Sequence, residues 1–203
     1  MLKCHLIKKN KGKKMKLPIA YYGHPILRKK AALIGTISHE IQHLVKDMIE
    51  TMITSKGVGL AAPQVHHSLS LFIACLIEED DEEEIEQSKI RVFINPKILD
   101  FSHEQWTQSE GCLSIPRIFR DVDRPISIKI TALDLSGHAF TEEFQGYSAR
   151  VILHEMDHLH GVLFIDRLPS KQRKALEIQL RAIKKKFHSS TISADMGRLV
   201  TFE

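Results

Sequence analysis

The sequence predicts an α+β fold: antiparallel sheets packed around a central buried helix carrying an H-E-x-x-H motif, with an N-terminal helix and a C-terminal helix. Three observations predict it. Helical and strand-like segments segregate along the chain without βαβ alternation. Tyr147 to His160 is apolar nearly all round, which a helix tolerates only when buried. Two further segments, starting at Ser38 and Ser170, read as helices, one by its apolar spacing and one by a one-sided basic face. At 203 residues the chain is long enough for one domain with a proper core and short for two.

The elements follow in order. The opening "MLKCHLIKKNKGKKMK" is basic, but no apolar stretch follows it, so it is not a secretory signal. Residues 1–16 are expected to be a disordered, solvated extension, and Met15 is an alternative start of translation. From Ser38, a reasonable N-cap, Ile41, Leu44, Val45, Met48 and Met52 follow helical spacing, and Glu40 suits the positive helix end. That helix should stop before Gly57. The loop "GVGLAAPQV" follows, then a strand over Leu69 to Ile77.

Glu78 to Glu86 holds eight acidic residues in nine. Such a run repels itself and reads as an exposed loop; it lacks the glycine and alternation of a calcium loop. "IRVFINP" reads as a strand closed by its proline. "ISIKITALDL" and "HAFTEEF" read as a hairpin around Ser136-Gly137. The buried helix comes next, then the basic helix from about Ser170 to Phe187. The tail after His188 has no clear pattern.

Bulk properties exclude several classes. Lys and Arg total 29 against 25 Asp and Glu, a net charge of +4, too mild to argue for nucleic-acid binding. Three cysteines, Cys4, Cys75 and Cys112, at irregular spacing are no disulfide framework, and reduced thiols fit a cytoplasmic setting. No apolar run approaches the roughly 20 residues that cross a bilayer.

The chemistry concentrates in "VILHEMDHLHG". His154 and His158 lie about one helical turn apart, so both imidazoles face the same way. Burying them beside Glu155 is costly without partners. A divalent metal supplies partners to the histidines, and the glutamate between them takes a proton from bound water. The alternative is that the histidines bond backbone carbonyls. A catalytic site of this kind needs a third protein ligand. Downstream, only His160 and Asp166 are on offer, and His160 faces another way. Cys112 in "EGCLSIP" is the better candidate, since a thiolate is a strong ligand and Gly111 lets the backbone come close; the alternative is a small buried hydrophobe. The Leu113 N–H and the Gln64 amide could hold a developing oxyanion, although Gln64 could equally be an ordinary loop residue.

"GVGLAAPQ" (Gly57–Gln64), "EGCLS" (Glu110–Ser114) and "HEMDHLHG" (His154–Gly161) together resemble the three motifs of peptide deformylases, in order and spacing. The resemblance covers about Leu17 to Leu168. It divides the chain into the extension 1–16, a catalytic domain 17–168, and a basic helix and tail 169–203. It implies a metal-dependent hydrolase that removes the formyl group from N-formylmethionine on new polypeptides and releases formate. Metal-bound water would attack the formyl carbon with Glu155 as general base. Cys112, His154 and His158 would bind the metal, and Gln64 and Leu113 would hold the oxyanion. Val58, Gly59 and Gly111 would pair with the substrate backbone. Glu110, Tyr147, Arg150, Val151 and His154 would form the methionine pocket. One divalent ion per chain is implied, Fe2+ in the cell, with Zn2+, Ni2+ or Co2+ possible in purified protein. A weak approach to the ribosome through the C-terminal helix is implied as well, and no membrane contact. Two positions depart from the family pattern. Leu153 stands where many members have glutamine. Phe119 stands where many bacterial members have arginine, with Arg117 and Arg120 nearby. The competing readings are a metallopeptidase using the same motif, and a closed structural metal site with Cys75 as a fourth ligand.

Overall fold

A computed structural model describes residues 16–76 and 89–196, with side chains to residue 187. The basic extension up to residue 15 and the acidic run lie outside the described residues. The described residues form seven strands: β1 (Gly59–Ala61), β2 (Leu71–Cys75), β3 (Ile90–Phe101), β4 (Gln105–Cys112), β5 (Ile115–Pro125), β6 (Ser127–Leu133) and β7 (Ala139–Gln145). The helices are α1 (His39–Thr54), α2 (Gly146–Leu159), α3 (Ser170–Ala175) and α4 (Glu177–Met196). All strand pairs are antiparallel. One sheet has the order β1-β2-β3-β6-β7, and β4 and β5 form a separate two-stranded ribbon.

The five-stranded sheet is covered on both faces. Phe72 and Ala74 join Phe93, Ile130 and the α2 residues Ile152 and Met156 in one cluster. Leu71 and Ile73 join Ile94 and the α1 residues Val45, Met48 and Met52 in another. A strand buried on both faces reads as an unbroken apolar run, and every residue of β2 is buried. The strand is shorter than the apolar run. Leu69 pairs instead with Ala32 in an isolated bridge, and Ile77 is outside the described residues.

Helix α1 begins after Ser38 and ends at Thr54, as its spacing predicts. The hairpin of β6 and β7 turns at Gly137, whose φ of 85° suits glycine, while the Asp134 carboxylate accepts from the Ser136 and His138 amides. Strand β3 differs from expectation, because it continues through Asn95-Pro96 to Phe101. The register shifts between Ile94 and Lys97, so Pro96 falls in a bulge that needs no ladder donor. Asn95, at φ 50°, clamps the bulge by bonding both the amide and the carbonyl of Ile34, at 2.9 and 2.8 Å.

The ribbon of β4 and β5 carries no sequence signal of the usual kind. "QWTQSEGC" has one large apolar residue, and its stability comes from a long ladder with β5. A third cluster joins Ile115, Ile118 and Val122 of β5 to Leu163, Phe164, Ile165, Leu176 and Leu180. The basic C-terminal segment is therefore anchored in the core. It breaks at Leu176 into α3 and α4, and α4 runs to Met196, past the predicted end. Among the described residues no helix is long and apolar enough to cross a membrane.

Candidate active site

Strands β1 and β4 are both edge strands, each with one side unpaired among the described residues. They converge: a Cβ added to Gly57 would lie 3.0 Å from Leu113 Cδ1. Between them lies α2, with nearly every residue buried, Glu155 and His158 among them. His154 and His158 project from successive turns with ring centroids 5.2 Å apart.

Cys112 ends β4 where the register slips, and this turns its thiol toward α2. Its Sγ lies 3.3 Å from His158 Nε2. Potential ligand atoms of Cys112, His154 and His158 all lie within 4.8 Å of one another. Among the described residues this is the one such group. Cys75 sits in β2 and does not join it. The other downstream candidates are engaged elsewhere: His160 Nδ1 meets the Met156 carbonyl at 2.8 Å, and Asp166 pairs with Arg28.

The donor set suits a divalent cation. Two imidazoles and one thiolate are the ligands that borderline metals take, and three protein ligands leave a coordination position open. His154 does not bond a carbonyl. Its Nδ1 meets Glu110 Oε2 at 2.9 Å, the kind of outer contact that would orient an imidazole whose Nε2 binds a metal. His158 Nδ1 and Glu155 Oε2 are buried with no hydrogen-bond partner among the described residues. Burial pushes His158 well below its ordinary pKa, toward the neutral, ligating form. Burial also pulls His154 down, but contacts with Cys112 and Glu110 outweigh it and hold that ring well above its usual range.

Gln64 is held for a purpose that its loop position does not announce. It lies in a short 3-10 turn, Ala62–Val65, fully buried. Its Oε1 accepts from the Ala61 amide at 2.8 Å, so its NH2 group faces the Cys112 sulfur at 3.4 Å and Ser114 Oγ at 3.3 Å. Glu155 lies under β1, and a Cβ on Gly59 would come within 2.8 Å of Glu155 Cδ. Burial pushes the Glu155 carboxyl up to about 7. Leu113 follows the thiol directly and packs with the α1 cluster, and Val58 packs at the edge of the α2 cluster.

The residues implied for a methionine pocket, Glu110, Tyr147, Arg150 and Val151, come together around the N-terminal half of α2. Two of them are bound to each other. Glu110 Oε1 accepts from Arg150 Nη1 at 2.7 Å and from Arg124 Nε at 2.6 Å. Burial alone would raise the Glu110 carboxyl, but Arg124 and His154 hold it well below the usual carboxylate range. Arg150 also reaches the carbonyls of Val122 and Trp106 and lies 5.2 Å from the Trp106 ring. It thereby ties α2 to the ribbon.

Sequence reasoning missed Arg124 and Asp157. Arg124 is 3% exposed; it forks onto Glu110 and donates to Asp157 Oδ2 at 2.9 Å, and Arg167 caps Asp157 from outside. The one signal available was Asp157 itself, a carboxylate on an apolar helix that needs a partner. Nothing near Arg124 marks it as that partner. Replacing Arg124 with Met should leave two buried carboxylates without their shared cation. The expected loss is about 3–5 kcal/mol of stability, read from the shift of a urea denaturation midpoint.

Known proteins resemble this chain in sequence and in fold. The polypeptide deformylase family matches residues 16–174. A peptide deformylase of Pseudothermotoga lettingae is 41% identical over 162 residues, covering 80% of this chain and 88% of the relative. One from Psychrobacter cryohalolentis is 42% identical over 171 residues, covering 80% and 89%. The crystal structure of a plant peptide deformylase superposes with a TM-score of 0.79 at 35% identity, covering 90% of this chain and 96% of that one. That of Thermus thermophilus gives 0.76 at 38% identity, covering 85% and 99%. The chain belongs to the polypeptide deformylase family.

Proposed function

We propose that Cys112, His154 and His158 hold one divalent metal ion, and that the chain uses it to remove the formyl group from N-formylmethionine at the start of new polypeptides, releasing formate. The observation that carries this reading is the convergence of those three donors within 4.8 Å beside a buried carboxylate. Fe2+ is the ion proposed for the cell, with Zn2+, Ni2+ or Co2+ able to replace it in purified protein. Cytoplasmic placement goes with this reading.

An ion held there would supply Lewis acidity, lowering the pKa of a bound water toward about 7 and polarising a carbonyl. The protein does the rest. Glu155 takes the water proton as the formyl carbon is attacked, then gives it to the departing amine; a carboxyl near 7 suits both roles. The Gln64 amide, oriented by its bond to Ala61, and the Leu113 N–H donate to the formyl oxygen as charge builds there. Val58, Gly59 and Gly111 pair with the substrate backbone as an added strand between β1 and β4. The methionine side chain enters among Glu110, Tyr147, Arg150, Val151 and His154. Glu110 is paired with Arg150 and Arg124, and Arg124 with Asp157, so the wall shows an apolar side chain no unpaired charge. The test is formate release from a formyl-Met peptide by protein prepared anaerobically with iron. No release would overturn the reading.

Residues 17–168 are proposed as the catalytic unit, and 169–203 as a segment that also approaches the ribosome. The support is the exposed basic surface of α3 and α4, with Lys171, Lys174, Arg181, Lys184, Lys185 and Lys186. The one acidic residue between Ser170 and His188, Glu177, is already bonded by Arg181 at 2.8 Å. Cutting the chain after Leu168 would remove the buried Leu176 and Leu180, so substitution is the better test. Changing Lys171, Lys174, Lys185 and Lys186 to Gln should leave peptide turnover intact and weaken ribosome co-sedimentation at low salt. For every phosphate that the variant no longer neutralises, the slope of log affinity against log salt should flatten by roughly 0.7 to 0.9. Equal sedimentation of variant and parent would make these helices a solvated face only.

A further inference from the structure

Phe119 is a large apolar side chain left 53% exposed beside the site. It lies directly opposite Gly111 in the β4–β5 ladder. Its ring covers that glycine: a Cβ built on Gly111 would come within 2.6 Å of Phe119 Cδ1. Only because Gly111 has no side chain can an aromatic ring lie across β4, whose far edge is unpaired among the described residues.

The face on which the ring lies follows from strand alternation. Along β5, Ile118, Val122 and Arg124 point inward and are buried, whereas Phe119, Asp121 and Asp123 are exposed. Along β4, Glu110 and Cys112 turn inward to His154 and His158. Gly111 and the Phe119 ring therefore share the outer face. A peptide strand added along the free edge of β4 must alternate in the same way. If its methionine enters the inner pocket beside Glu110, the next side chain points outward, on the face of the ring. Same-face residues on neighbouring strands are contact neighbours.

We propose that Phe119 is a specificity-determining residue, forming an apolar contact for the side chain that immediately follows the formylmethionine. An aromatic or branched aliphatic residue there gains ring contact, and a glycine gains none. The proposal rests on the strand-addition reading given under Proposed function.

The test compares formyl-Met-Phe-Ser with formyl-Met-Gly-Ser. The parent should favour the first. Phe119→Ala should lower kcat/KM on the Phe peptide by about threefold to tenfold, the range of an aromatic pair, acting through KM with kcat little changed. The Gly peptide should be turned over as before. Phe119→Leu should retain part of the preference, because it keeps an apolar surface. Since the ring is exposed, neither variant should disturb folding. An equal fall on both peptides, or no fall on either, overturns the proposal and leaves the assignment of the activity standing. No formate from any peptide with the parent protein overturns that assignment, and this proposal with it.

Discussion

Cys112→Ala is expected to lose its metal and its activity together. Cys112 is the one sulfur donor in the group, and no other Cys, His or carboxylate joins the three donors among the described residues. Removing an outer contact to a ligand already costs about 10- to 100-fold in metal affinity. Removing a ligand should cost more, so metal content after dialysis should fall well below one per chain. The fold should survive, because Cys112 is only partly buried and sits at the end of its strand. Metal analysis beside a formate assay reads both effects, and circular dichroism checks the fold. Full metal and full turnover in this variant would mean that the ligand set is wrong. If the ion is ferrous, exposure of the parent to oxygen should also inactivate it, since iron and thiolate are both oxidisable.

Glu155→Gln is expected to keep the metal and lose the rate, by about 10²- to 10⁴-fold, the usual span for general acid–base catalysis. The amide keeps the shape but cannot accept the proton. The environment supports the assignment: Glu155 Oε2 has no hydrogen-bond partner among the described residues, and burial pushes the carboxyl up to about 7. Contrasting the two variants separates holding the ion from moving the proton. Near-normal turnover in Glu155→Gln with metal at one per chain would leave the proton to another group.

What the sequence disclosed and what it hid divide along physical lines. Helices α1 and α2 are legible because each repeats one chemical demand every turn, with Val45, Met48 and Met52 on one stripe and α2 apolar nearly all round. The hairpin of β6 and β7 is legible because a turn signal separates two alternating runs. The β4–β5 ribbon is not, because most of its outward residues are polar and its order comes from a partner strand. Nor is the passage of β3 through Pro96, which depends on the Asn95 clamp to Ile34, a contact 61 positions away. The site divides similarly. His154, Glu155 and His158 announce themselves by local spacing. Cys112 and Gln64 are bland by local context: the need for a third ligand pointed to Cys112, Gln64 could equally be a loop residue, and the resemblance across three motifs adds to both. Arg124 has no local signature, since its role comes from carboxylates 14 and 33 positions away.

If substrate adds as a strand between β1 and β4, as proposed, their unpaired edges also set when the protein can act. A gap flanked by two strand edges has room for one extended chain with its backbone donors and acceptors unspent. A helix has spent them internally, and a hairpin has spent them on its own partner strand. Either would have to unfold to enter. A slot of that kind would select by folding state as well as by chemistry. It favours the interval in which the first residues of a chain are still unpaired, and that interval closes as the young polypeptide acquires structure. A formyl group left in place past that moment would be shielded by the fold behind it, whatever the intrinsic speed of the site.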